Sequence, residues 1–273
     1  MCPFHGHYRD PGGQWAISTC FSYLTAIQEL EIHRVAITNG FKVDKRQSAT
    51  FPSAASRQAI ANQSTIGKTK LEASMTELRG IATDFEIVGF PEGITESSVA
   101  EFVQGCDIIV DEIDVFPLHA HVILHQEARK RNLPIYTALA IGLGTHFYKF
   151  HGDDYTFEDF LGAPREVYQK PSLDYLMHLF GTPLPEYMNA KAASGLVQEA
   201  ASAGIPIFGP ATLLGHSIVV SRIVADLFGD DLKNNWGLSS GLKKTPVMPE
   251  FITLDLGDLS IQVTKFPAKL RTA

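Results

Sequence analysis

The chain has 273 residues, 45% of them hydrophobic and 19% charged, so it can bury ~75% of its unfolded surface, enough for one large domain or a domain with an addition. Its 30 acidic against 23 basic residues give a formal charge of -7, which repels a polyanion and argues against nucleic acid as a partner. Cys2, Cys20 and Cys106 are odd in number and far apart; they indicate neither a disulfide framework nor a cysteine zinc site, and fit a reducing, cytoplasmic compartment.

Residues 1–14 are rich in Gly, Pro and His without periodicity and read as a loop. From 15 to 30, apolar Ile17, Cys20, Phe21, Leu24, Ile27 and Leu30 recur at three- and four-residue steps, which predicts a helix. Residues 34–38 read as a short strand, 40–56 as a long polar connection, 67–80 as a second helix and 85–90 as a strand. Thr95, Ser97 and Ser98 have capping character ahead of a third helix that reaches residue 104. A strand at 107–110, preceded by a core Cys106, leads to a fourth helix from Phe116 to about residue 131, and 133–141 is a continuous apolar strand. Strands without alternation are buried on both faces, the mark of a parallel sheet. Gly142-Leu143-Gly144 reads as a tight turn before a strand at 146–150.

From 156 onward the pattern is helical, at 157–160, 174–179, 190–203 and 210–228. Two alternating strands, 251–256 and 259–266, close the chain around Gly257-Asp258. The most apolar stretch, 205–228, is interrupted by Pro206, Pro210, His216, Ser221, Arg222 and Asp226, so no membrane span is expected, and the start of the chain lacks a signal pattern. The expected fold class is α/β: a Rossmann-like open, mostly parallel sheet with flanking helices and an appended C-terminal helical part ending in a strand pair.

In such a sheet ligands bind beyond the carboxyl ends of the strands, where Asp111 and Asp114 emerge. A carboxylate there can hold Mg²⁺, a hard ion that prefers oxygen; Asp114 reads equally as the cap of the next helix. Arg57, followed by Gln58, can spread its planar donors over phosphate oxygens, and Lys70 supplies a point charge near a leaving pyrophosphate, with Lys68 close by. Each cation taken singly also reads as a solvated surface group. Gly67, just ahead of the second helix, leaves backbone N–H groups open to an anion. His119, His121 and His125 share one predicted helix, the last two on one face. Without an HExxH pattern a buried or solvated pair is the preferred reading over a metal site. Cys2, His5 and His7 form a second, weaker cluster.

The order Ser56-Arg57-Gln58, then Ser64-Thr65-Ile66-Gly67-Lys68-Thr69-Lys70, then Asp111-Glu112-Ile113-Asp114-Val115-Phe116 resembles the ThiF/MoeB/HesA family, relatives of ubiquitin-activating enzymes. That family shows an NxxRQ segment, a GxxK helix start and a DxxDN/F strand end. Pro134-Ile135-Tyr136-Thr137-Ala138, Thr156-Phe157-Glu158-Asp159-Phe160 and Gly209-Pro210-Ala211-Thr212 are similar to further elements, for coverage of about residues 24–266. The resemblance implies a nucleotide-binding domain over 1–155, with a C-terminal helical and strand part over 156–273 packed on the same sheet. It implies ATP and Mg²⁺ as cofactors, with Arg57, Gln58, Lys68, Lys70, Asp111 and Asp114 at the nucleotide; Arg57 and Lys70 neutralise phosphates and Asp114 holds the metal. The implied reaction is adenylation of a carboxylate, commonly the C-terminus of a ubiquitin-like or sulfur-carrier protein, by a chain that can form a homodimer.

The pattern departs from the family at the first glycine turn, where Gln14, Ala16, Ile17 and Thr19 stand, and at Ala54, where the family has Asn. Two alternatives therefore stay open. One is an inactive ThiF-like binding module that has lost its phosphate loop. The other is an NAD(P)-dependent oxidoreductase, which would need a glycine fingerprint with an acid ~20 residues on.

Overall fold

The structure, a computed structural model, describes residues 14–17, 34–38, 63–65, 67–81, 86–113, 117–170, 172, 175, 179, 184–188, 208–235 and 242–266. Eight strands form one sheet: β1 (Gln14–Ile17), β2 (Arg34–Thr38), β3 (Glu86–Phe90), β4 (Ile108–Val110), β5 (Ile135–Ile141), β6 (Gly144–Phe150), β7 (Glu250–Asp255) and β8 (Ser260–Lys265). Their order across the sheet is β3-β2-β1-β4-β5-β6-β7-β8. The first five pair in parallel, as a doubly wound sheet does. From β5 onward the pairings are antiparallel. The turn between β5 and β6 is two residues long, with Gly142 at φ 59°, the glycine-first arrangement that matches strand twist in a hairpin.

One expectation is corrected. Residues 14–17, expected at a loop–helix junction, form the central parallel strand β1, with Gln14 opposite Arg34 and Ile17 opposite both Ile37 and Val110. The helical spacing of apolar residues from Ile17 to Leu30 masked it: a four-residue strand is too short to show a period of its own beside a longer one. The closing strand pair expected at 251–256 and 259–266 is present as β7 and β8, and it extends the same sheet, because β7 pairs with β6. The expected helices at 174–179 and 190–203 lie largely or wholly outside the described residues.

Helices cover both faces. On one lie α1 (Lys70–Ile81) and the long α6 (Gly209–Asn235); on the other lie α2 (Val99–Phe102), α3 (Leu118–Lys130), α4 (Phe157–Leu161) and α5 (Arg165–Gln169). Strand β4 shows why its sequence is apolar throughout. Ile108 and Val110 pack with Leu71, Leu78, Val219 and Ile223 on the α1/α6 face, while Ile109 packs with Phe102, Leu118 and Leu124 on the α3 face. Side chains alternate along a strand, so only a strand covered on both sides is apolar at consecutive positions. Each fully buried Ile or Leu here contributes about 1.5–3 kcal/mol of transfer free energy.

Capping fixes where helices begin. Thr69 and Glu72 exchange hydrogen bonds, backbone to side chain in both directions, at the start of α1; Thr156 and Asp159 do the same for α4. Gly215 lets α6 settle onto the sheet, since a Cβ there would lie 3.0 Å from Thr145 Oγ1 and 3.2 Å from Ala138 Cβ. Among the described helices α6 alone is long and apolar enough to cross a membrane, with 28% of that stretch buried in the fold. Ala211, Val219 and Ile223 of its inner side are sealed against the sheet, which accounts for part of that apolarity. The edge strand β8 carries Ile261 and Val263 outward.

Candidate functional site

The sheet reverses its winding between β1 and β4, and their carboxyl ends lie side by side at Ile17 and Val110. That reversal opens the crevice in which doubly wound sheets bind ligands. Two segments lie at the same edge of the sheet. One is the turn Asp111-Glu112-Ile113 that leaves β4. The other is the amino end of α1, which runs back toward the start of β3 and so begins at the strands' carboxyl edge; Leu71 and Met75 of α1 lie over Gly89 near the end of β3.

Asp111 continues the alternation of β4 by one residue. Its N–H donates to the Tyr136 carbonyl at 2.9 Å, so its side chain falls on the same face as Ile109 and meets α3. There Asp111 Oδ2 accepts from His121 Nδ1 at 2.6 Å and from His125 Nε2 at 3.1 Å, and Oδ1 accepts the Ile113 N–H at 3.1 Å. His121 and His125 are one turn apart on α3, which places both rings over the strand end. All three residues are buried, Asp111 being 1% exposed and His125 3%. Phe157 stacks on the His121 ring at 5.5 Å and tilts against His125 at 4.2 Å, and Phe150 meets His125 edge-on. Burial alone would raise the Asp111 pKa, but the charge and hydrogen bond of His121, then of His125, hold it well below the ordinary carboxylate range. Burial pushes His125 down, opposed by its bond to Asp111.

Glu112 turns to the opposite face, 4.0 Å from His216 Nε2 of α6. Burial pushes His216 down to about 4, so the imidazole is neutral near pH 7 and this contact is not a strong ion pair. His119 lies on the outer side of α3 against Glu96 at 3.2 Å. Cys106 is buried, its thiol directed at the Phe102 carbonyl, the core position expected for it.

Of the expected site residues, Lys68 is exposed in the turn before α1 and Lys70 is the first residue of that helix. Gly67 beside them has φ 87°. Topology brings these to the same edge of the sheet as Asp111. Asp111 itself, expected to face a nucleotide, is instead engaged by the two histidines, because strand alternation aims it at α3. Arg57, Gln58 and Asp114 lie outside the described residues. The Asp111–His121–His125 cluster was only half visible in the sequence: the four-residue spacing put the imidazoles on one face, but nothing local named the carboxylate they meet.

Comparison with known proteins agrees with the fold. The ThiF family model matches residues 52–230, more than half of the chain. Among curated proteins none matches in sequence. The crystal structure of selenomethionine PaaA superposes with a TM-score of 0.58 at 16% identity, over 93% of this chain and 72% of that one. E. coli MccB with ATP gives 0.56 at 11% identity, over 95% and 65%. The Microcin C7 biosynthetic enzyme MccB with N-formylated MccA gives 0.59 at 11%, over 95% and 66%. The chain thus spans about two thirds of MccB, and at such identities the likeness is one of fold. On the family match, the chain belongs to the ThiF family.

Proposed function

With membership of the ThiF family as the premise, we propose that the chain is an ATP-dependent adenylyltransferase that activates a carboxylate on a protein or peptide partner. The observation that carries this reading is the crevice at the β1/β4 reversal, with the turn after β4 and the amino end of α1 at the same edge of the sheet, within a fold shared with MccB, which has been seen with ATP and with MccA. In the reaction a carboxylate oxygen attacks the α-phosphorus of ATP. The new P–O bond forms the acyl adenylate as the bond to pyrophosphate breaks. No protein nucleophile is needed; positioning and stabilisation of negative charge supply the catalysis.

The chain's own groups have distinct parts in this reading. Lys68 and Lys70 stand at the helix start, where backbone N–H groups also favour an anion, and Arg57 with Gln58 complete the phosphate contacts. Mg²⁺ takes oxygen ligands, and Asp111 Oδ2 is already shared by two imidazole nitrogens. Asp111 therefore does not fit as a direct magnesium ligand, and that role falls to Asp114. A ubiquitin-like or sulfur-carrier protein is the partner class the family suggests, with action in the cytoplasm and as a homodimer.

One observation favours the alternative of an inactive binding module: residues 18–33, between β1 and β2, contain no glycine, so the close backbone approach that a glycine loop gives to phosphates is missing from the sequence. Calorimetric titration with Mg-ATP separates the two. Micromolar affinity, about -8 kcal/mol, lost in Arg57→Ala and in Asp114→Ala, is expected of the enzyme; a folded wild-type chain that takes up no nucleotide would sink that reading in favour of the binding module.

A further inference from the structure

We propose that Asp111, His121 and His125 are the protein ligands of a buried site for a divalent first-row transition-metal ion of the zinc or iron class. The ligand atoms of the three residues lie within 4.8 Å of one another. Bonds of about 2.1 Å place two ligands of a tetrahedral ion roughly 3.4 Å apart; the 2.6 Å and 3.1 Å contacts from Asp111 Oδ2 to the two imidazoles are the hydrogen bonds of the metal-free cluster, and the three ligand atoms need to part by less than about 1 Å to admit the ion. Two imidazole nitrogens with one carboxylate oxygen form a donor set that suits these metals and disfavours magnesium and calcium, which take oxygen.

The surroundings have the features that metal ligation requires. Asp111 Oδ1 is occupied by the Ile113 N–H, which fixes the carboxylate with Oδ2 toward the histidines. The rings are held by Phe150 and Phe157. A metal on one nitrogen of a histidine leaves the proton on the other, and that N–H needs an acceptor. Beside His125 is a cavity of about 20 Å³, also lined by Phe150, Phe157 and Tyr155, which is room for one water. Tyr155 is 5% exposed, and its hydroxyl is buried with no hydrogen-bond partner among the described residues. One water in this cavity would give the Tyr155 hydroxyl its partner and serve as the outer acceptor for His125.

This site is separate from the nucleotide reading: it lies on the α3 side of β4, and its test does not depend on ATP. The full chain, produced with Zn²⁺ in the medium and passed over a chelating resin, is analysed by plasma mass spectrometry and, after metal removal, titrated with Co²⁺. The expected result is about one equivalent of metal per chain, with visible cobalt d–d bands and no thiolate charge-transfer band. The double variant His121→Ala/His125→Ala is expected to retain none. A folded wild-type chain without metal and without cobalt bands overturns the proposal whether or not any variant folds. So does a metal fully retained by the double variant, or a thiolate band that assigns the ion to Cys2 with His5 and His7.

Discussion

Asp111 and Asp226 are two carboxylates held on opposite faces of one sheet, and they are neutralised by different means. On the α6 face Asp226 accepts from Lys149 Nζ at 2.7 Å, the Tyr136 hydroxyl at 3.0 Å and the Thr245 hydroxyl at 2.6 Å. Lys149 also lies over the Tyr136 ring. Burial works against the Asp226 charge, and Lys149 and Thr245 outweigh it, lowering its pKa. On the α3 face Asp111 has no lysine or arginine partner among the described residues; two imidazoles surround it. A lysine partner keeps its charge across the physiological range, whereas an imidazole nitrogen can release its proton to solvent and bind a metal in its place. The first cluster is a brace. The second has the composition of a binding site.

Three substitutions sharpen that contrast. Asp111→Ala strips the common partner from two buried imidazoles and is expected to cost about 3–5 kcal/mol, read as a fall in the urea midpoint at pH 7. Asp226→Ala leaves Lys149 and two hydroxyls near partial solvent and should cost less, about 2–3 kcal/mol; an equal or larger loss would break the distinction between brace and site. His146 is the control for a buried imidazole whose nearest polar partner is not a carboxylate: Nδ1 meets the Tyr148 hydroxyl at 3.1 Å, and burial, slightly opposed by Asp255, pushes it down to about 4. The unfolded chain binds a proton at His146 near pH 6.5 and the folded chain only near 4, so stability falls as pH drops through that window. The expected loss is up to about 2 kcal/mol by pH 5. In His146→Asn that share of the acid sensitivity should vanish from the stability profile.

Most of the sheet was legible because β2 to β6 and the final hairpin are bounded by clear breaks, and because consecutive Ile108, Ile109 and Val110 announce a strand covered on both faces. Thr95, Ser97 and Ser98 marked the start of α2 at Val99 through their capping character. What failed was local information overruled by a longer pattern, as at β1. The carboxylate–histidine cluster failed for another reason: it depends on which helix lies behind which strand, a fact carried by packing across ten to fourteen residues of separation. The phosphate-side expectations at Arg57 and Asp114 rest on the family resemblance and its matched span.

The hydrogen bond from the Asp111 N–H to the Tyr136 carbonyl joins the two carboxylate clusters through one rung of the β4–β5 ladder. Substitutions on the two faces should therefore be epistatic. The effect of losing Asp226 depends on whether Asp111 is intact, with a coupling free energy on the order of 0.5 kcal/mol or more. A replacement at Tyr136 that shifts its backbone would move the strand end from which the histidines of α3 receive their carboxylate.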